Sequence, residues 1–168
     1  MSAAAWPMPV EPLPVLVIAV GNPSRGDDAI GPRLAERLEA AALPGVEVLC
    51  DFQLQVEHAL DLEGRVRVVF VDAGAGTPAP YELRRVVADE DWRHTSHSLS
   101  PASVLATWAR LREDPPPPCW VLCVRGEHFG LGDELSEPAA RHLEAAWPVL
   151  AGLASGSANG APQQCAEL

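Results

Sequence analysis

The chain has 168 residues, a size that suits one domain with a sizeable core, and 48% of them are apolar, which excludes a wholly disordered chain. The formal net charge is −11, with no cluster of Lys or Arg, and this argues against a nucleic-acid partner or an anionic membrane surface. The longest apolar runs are strand-sized, so no bilayer-spanning helix is expected. Residues 1–14, "MSAAAWPMPVEPLP", lack a basic start and are interrupted by prolines; they read as an irregular lead-in and not as a signal peptide. Val15–Val20 is a continuous apolar run and predicts a buried strand. Ile30, Leu34, Leu38 and Ala41 recur with helical spacing, so Ala29–Ala42 predicts a helix that stops at Leu43-Pro44-Gly45. Val46–Cys50 reads as the next strand, and "QLQVEHALDLEG" as a short helix stopped by Gly64. Val66–Val71 is a third strand, "GAGTPAP" a loop, and Tyr81–Val87 an edge strand. Ser100 as N-cap with Pro101 at the first helical position predicts a helix through "SPASVLATWARL". Pro115–Pro118 is a stiff connector, Cys119–Val124 the last core strand and Leu135–Leu150 the last helix. One domain is expected over 15–151. Residues 152–168 are expected to form a tail whose removal changes stability little.

Strands alternating with helices imply an α/β fold: a three-layer sandwich in which helices flank a mostly parallel, twisted sheet. Sites in such folds gather beyond the carboxyl ends of the strands. Three strands here end in polar residues: Gly21-Asn22 after the first, Asp51 after the second and Asp72 after the third. The acids Asp27 and Asp28, in the loop after the first strand, therefore belong to the same rim. An aspartate at a helix start accepts backbone N–H bonds, but one is enough for that purpose, which leaves the second unexplained. Asp72 can begin a turn, or it can serve a site beside the glycines of "VFVDAGAG". His94 and His97, in "RHTSHSLSP", lie on a loop at this rim. Two carboxylates, one imidazole and water make an open site for a borderline divalent metal, and ligand type alone does not choose between nickel and zinc.

Other templates fail. No H-E-x-x-H, G-x-S-x-G, Walker or G-x-G-x-x-G motif is present. The four cysteines, Cys50, Cys119, Cys123 and Cys165, have irregular spacing and no C-x-x-C, which fits free thiols in a reducing, cytoplasmic compartment. Cys119 and Cys123 share strand parity and are expected to pack in the core.

The segments "GNPSRGDDAIGPRLAERL", "VVFVDAGAG" and "HSLSPASVLATWARL" occur in an order and spacing that resembles the [NiFe]-hydrogenase maturation endopeptidases, over roughly residues 15–150. "CDFQLQVEHALDL" is similar to the branch serving soluble NAD(P)-linked or bidirectional hydrogenases. The resemblance implies a phosphorylase/hydrolase-like sandwich. It also implies an endopeptidase that removes the C-terminal extension of the hydrogenase large-subunit precursor after nickel insertion. The family's metal-contacting residues fall on Asp28, Asp72 and His97, which serve both as metal and as catalytic positions; His94 has no counterpart. Where relatives carry a glycine-rich loop after the second strand, this chain has Phe52-Gln53-Leu54-Gln55.

Nickel is expected to arrive with the precursor, with zinc or cadmium able to substitute in vitro. Either a metal-bound water attacks the peptide, or the metal only docks the precursor and a carboxylate acts as general base. A monomer is expected. Two other readings stand beside this one. The first is an ester hydrolase resembling peptidyl-tRNA hydrolases, which also open with a strand and Gly-Asn-Pro but need a basic face. The second is a non-catalytic nickel-handling partner.

Overall fold

The computed structural model describes residues 13–88 and 99–156. His94, His97 and Cys165 lie outside the described residues, as does most of the N-terminal lead-in. Five strands form one sheet: β1 (Val15–Val20), β2 (Val46–Asp51), β3 (Arg67–Gly74), β4 (Tyr81–Arg85) and β5 (Cys119–Arg125). Their order is β2-β1-β3-β5-β4. All pairs are parallel except β4–β5, which is antiparallel, so the expected edge strand is an edge of opposite direction.

Alternation along the strands makes the two faces of the sheet. Val17 and Ala19 of β1, Val69 and Val71 of β3 and Leu122 and Val124 of β5 face α1 (Ile30–Ala41) and α4 (Glu137–Ser155). Leu16, Ile18, Val68 and Phe70 face the opposite layer, α2 (His58–Asp61) and α3 (Pro101–Leu111). The central strands are therefore covered on both sides, which is why they read as unbroken apolar runs. Ser100 caps α3 by accepting from Ser103 N, with Pro101 in its first turn, as the sequence predicted. Gly64 stands at φ 73, in the left-handed conformation that ends the α2 region.

Three boundaries differ from expectation. A 3-10 turn, Gly26–Ala29, precedes α1. β3 runs to Gly74, so Asp72 lies inside the strand and does not end it. α4 starts at Glu137 behind the N-cap Ser136 and continues to Ser155, four residues past the expected domain end. Leu153 and Ala154 are 5% and 2% exposed and belong to the α1/α4 core, and Arg67 Nη1 donates to Leu153 O at 2.6 Å. The expected tail beginning at residue 152 is thus corrected: its first residues are core. Truncation after Gly152 is accordingly expected to destabilise the protein. Leu153→Ala alone should cost about 2–4 kcal/mol in denaturant unfolding, since it leaves a cavity that neighbouring groups fill only in part.

Candidate active site

The site lies at the carboxyl ends of β1 and β3 and begins with a sharp exit from β1. Gly21 sits at φ 146, and a Cβ there would run into the Asp28 carbonyl oxygen, so only glycine permits the loop to fold back this closely. Asn22 N donates to Asp28 Oδ2 at 2.7 Å, and Asn22 Oδ1 accepts from Ser24 N at 2.9 Å. The Gly-Asn pair thereby shapes the loop and holds the Asp28 carboxylate.

Asp27 and Asp28 have divided roles. Asp27 is 0% exposed. It caps neither the 3-10 turn nor α1 with its side chain, contrary to the simplest sequence reading. Its Oδ2 accepts from Glu127 N at 2.7 Å, His128 N at 2.9 Å and the Ser136 hydroxyl at 2.9 Å. Its Oδ1 accepts from Ser136 N at 2.8 Å. Asp27 N in turn donates to His128 O at 2.7 Å. Burial pushes its carboxyl up, but the N–H groups of Glu127, His128 and Ser136 and the Ser136 hydroxyl outweigh it and hold the pKa below the ordinary value. Asp27 therefore braces the loop from Gly126 to Ser136 against the Gly-Asn loop.

Asp28, next in sequence, lines a cleft of about 520 Å³ together with Asp72. Phe52, Leu54, Leu99 and Phe129 form apolar walls around the two carboxyls. Asp72 Oδ1 accepts from Ala73 N at 2.7 Å. Burial raises the Asp72 pKa to about 6; the Ala73 N–H pulls it down, and the charge of Asp28 pushes it further up. Among the described residues neither carboxylate is matched by an ion pair. Two acids facing one cleft without a cation have the oxygen donor set that a divalent metal satisfies, or that can share a proton between them.

Two of the three sequence-predicted residues, Asp28 and Asp72, thus meet in one cleft. His97 and His94 lie outside the described residues. Asp51, on the same rim, serves a different end. Its Oδ1 accepts from Phe52 N at 2.7 Å, and its Oδ2 lies 3.7 Å from His58 Nε2. His58 Nδ1 accepts from Gln55 N at 2.8 Å, so both residues shape the loop that carries Phe52 and Leu54 into the cleft. Sequence reading missed Phe129, which reaches the cleft through the loop that Asp27 holds. Cys50, Cys119 and Cys123 are free thiols. Cys119 is buried in the core as expected; Cys123 is half-buried, its Sγ 2.9 Å from Thr77 Oγ1. Among the described residues no helix is long and apolar enough to cross a membrane.

Solved structures share this fold. The hydrogenase maturating endopeptidase HybD from Escherichia coli superposes with a TM-score of 0.64 at 27% identity, covering 85% of this chain and 93% of that one. A hydrogenase 3 maturation protease gives a TM-score of 0.68 at 23% identity, covering 94% of this chain and 100% of that one. The [NiFe] hydrogenase maturation protease HycI from Thermococcus kodakarensis gives 0.66 at 21% identity, covering 84% and 92%. The last two speak for the fold alone; the first carries the likeness into sequence as well. No protein-family model and no curated protein sequence matches the chain. The α/β sandwich and the resemblance read from sequence are therefore matched by these structures.

The opposed carboxyls generate a prediction about pH. Asp72 has an ordinary pKa of 3.8 and a folded pKa of about 6, so its ionisation is harder in the folded state. Its penalty is absent below pH 3.8 and grows as pH rises through 6. Asp72→Asn, which keeps an acceptor for Ala73 N, should raise stability at pH 7 by about 1–3 kcal/mol in chelator-treated protein, with the gain vanishing below pH 3.8 in denaturant titrations at several pH values. Asp27 has the opposite sign. Its lowered pKa stabilises the fold above the ordinary value, and this contribution is lost as pH falls through the folded pKa. In the same titrations Asp27→Ala should cost about 3 kcal/mol or more at pH 7, because it strands buried N–H donors.

Proposed function

We propose that this chain is an endopeptidase that removes the C-terminal extension of the [NiFe]-hydrogenase large-subunit precursor after nickel insertion. The observation that carries the reading is the pair Asp28 and Asp72 in one apolar-walled cleft, with the Asp72 pKa raised to about 6 by burial and by Asp28. A cation entering this cleft relieves both the repulsion and the unfavourable burial. The likeness to the E. coli maturating endopeptidase supports the same activity.

In this reading Asp28, Asp72 and His97 contact the nickel. Nickel is part of the substrate, held by the precursor when it arrives. Two carboxylates and an imidazole, without a thiolate, select poorly among first-row divalent ions, so the discrimination lies with the precursor; zinc or cadmium would satisfy the same donors. Asp28 is fixed by Asn22 N and presents a charge of set direction. Asp72 accepts from Ala73 N through Oδ1, which leaves Oδ2 to take a proton from water attacking the scissile carbonyl and to return it to the leaving amine. The walls Phe52, Leu54, Leu99 and Phe129 exclude bulk water and strengthen these interactions. The loop Phe52–Gln55 differs from the glycine-rich segment of relatives, and we assign to it the preference for a soluble, NAD(P)-linked hydrogenase. A reducing, cytoplasmic compartment is in keeping with the free thiols Cys50, Cys119 and Cys123, and in this reading the protein acts as a monomer.

Processing is read by the gel shift of a purified precursor. Asp28→Asn, Asp72→Asn and His97→Ala should each reduce cleavage by about 100-fold or more while the protein stays folded, and His94→Ala should cleave at nearly the normal rate. Normal cleavage by His97→Ala would remove that residue from the site. No shortened large subunit with any variant or with the unaltered chain would favour a nickel-handling partner; release of the aminoacyl group from peptidyl-tRNA would favour the ester hydrolase. The source of the metal is tested separately. Enzyme treated with a chelator and then freed of it should keep full activity, whereas precursor stripped of nickel should not be cut. Enzyme left inactive until metal is returned to it would instead establish a resident catalytic metal.

A further inference from the structure

A second groove of about 340 Å³ adjoins the carboxylate cleft. It lies between α1 and the end of β2 and is lined by Pro32, Ala35, Glu36, Glu39, Cys50 and Phe52, among others. Phe52 is 68% exposed and lines both hollows, so the two are neighbours on the rim with this side chain between them. β2 is an edge strand that pairs only with β1, which leaves the outward N–H and C=O groups of β2 without a strand partner among the described residues. Glu36 and Glu39 are exposed, and among the described residues neither is matched by an ion pair. Their charges reach the exposed Cys50, whose pKa is raised by burial first and then by Glu39, Asp51 and Glu36.

We propose that this groove holds an extended, basic segment of the precursor, running from the carboxylate cleft over Phe52 and along the β2 edge. The inference rests on the precursor-processing reading and adds to it the chemistry of the recognised chain. An extended main chain can bond to the free edge of β2 whatever its sequence, and the side-chain pockets supply the choice. Pro32, Ala35 and Phe52 offer an apolar floor for the aliphatic stem of Lys or Arg, and Glu36 and Glu39 offer oxygens to its charged head. An acidic segment would be repelled. A second copy of this chain is a poor occupant, because its net charge of −11 sets like charge against like.

Cys50 provides the readout, as the exposed free thiol in the groove. The nickel-loaded large-subunit precursor is added to the full-length protein, iodoacetamide is applied at alkaline pH, and alkylation of Cys50 is resolved by mass spectrometry. Saturating precursor should slow Cys50 alkylation several-fold while leaving the slow reaction of buried Cys119 unchanged. Glu36→Gln/Glu39→Gln should raise KM for processing by roughly three- to tenfold at low salt, with kcat nearly unchanged, because a solvent-facing ion pair contributes up to about fivefold in affinity. The difference should shrink as salt screens it. A precursor in which every Lys and Arg of the segment flanking the scissile bond is replaced by Glu should lose protection. Alkylation is compared with and without precursor within each protein, since removing the glutamates changes the Cys50 thiol itself. Unchanged alkylation of Cys50 while processing continues would overturn the groove. Protection with KM unaltered in the double variant would overturn the basic occupant. Protection without any processing would keep the groove as a docking surface and remove the peptidase reading, and neither protection nor processing would overturn both.

Discussion

The buried Asp27 carboxylate is the interaction on which the site depends. It sits in the turn after β1, yet its acceptor oxygens bind groups about a hundred residues away, at Glu127, His128 and Ser136. A buried carboxylate is costly unless its lone pairs are filled, and here they are filled by three backbone N–H groups and one hydroxyl. The same contact decides three local structures at once. It fixes the turn that aims Asp28, the loop that brings Phe129 to the cleft, and the N-terminus of α4 at its cap Ser136. Gly26 belongs to this junction: it lies at φ 55, and a Cβ there would meet the His128 carbonyl oxygen, so the two loops can close only over a glycine.

Adjacent acids thus act in opposite ways, and the difference lies in what surrounds each one. Asp27 meets a full set of donors and is stabilised in its charged form. Asp28 accepts from Asn22 N and otherwise faces the cleft. Asp72 lies just beyond the last paired residues of β1 and β3, between strands buried on both faces, and accepts from its own neighbour Ala73 N. A single N–H does not offset the burial of Asp72, and its raised pKa reflects that shortfall.

Much of this was legible in the sequence because the signals are local. Unbroken apolar runs marked β1, β3 and β5, helical spacing marked α1, and Ser100-Pro101 marked the start of α3. The rim followed from where those strands end, and with it Asp28 and Asp72. What escaped was long-range. Nothing near Glu127–Gly130 shows that its backbone N–H groups serve Asp27, because a peptide N–H carries no residue-specific mark. The antiparallel direction of β4 depends on a connection that reading in chain order does not reveal. The extent of α4 was partly readable: Ser136-Glu137-Pro138 repeats the cap-and-proline signal of Ser100-Pro101. The far end was obscured by Gly152, yet Leu153 and Ala154 continue the buried face past it.

The site gives up stability at one point and the fold recovers it at another. Two carboxylates held near each other in an apolar-walled cleft repel, and burial denies them the water that would screen the repulsion. A fold built only from the β1 and β3 termini could relax by letting the Gly-Asn loop swing outward. Asp27 prevents this by tying the loop to the Gly126–Ser136 segment and so to α4, which is packed across the core from Ala139 to Ala154. The charge pair is held in place because its neighbour in sequence is satisfied. Among the described residues, that arrangement leaves the cleft with no positive charge facing Asp28 and Asp72, so a cation would gain more there than on an open acidic surface.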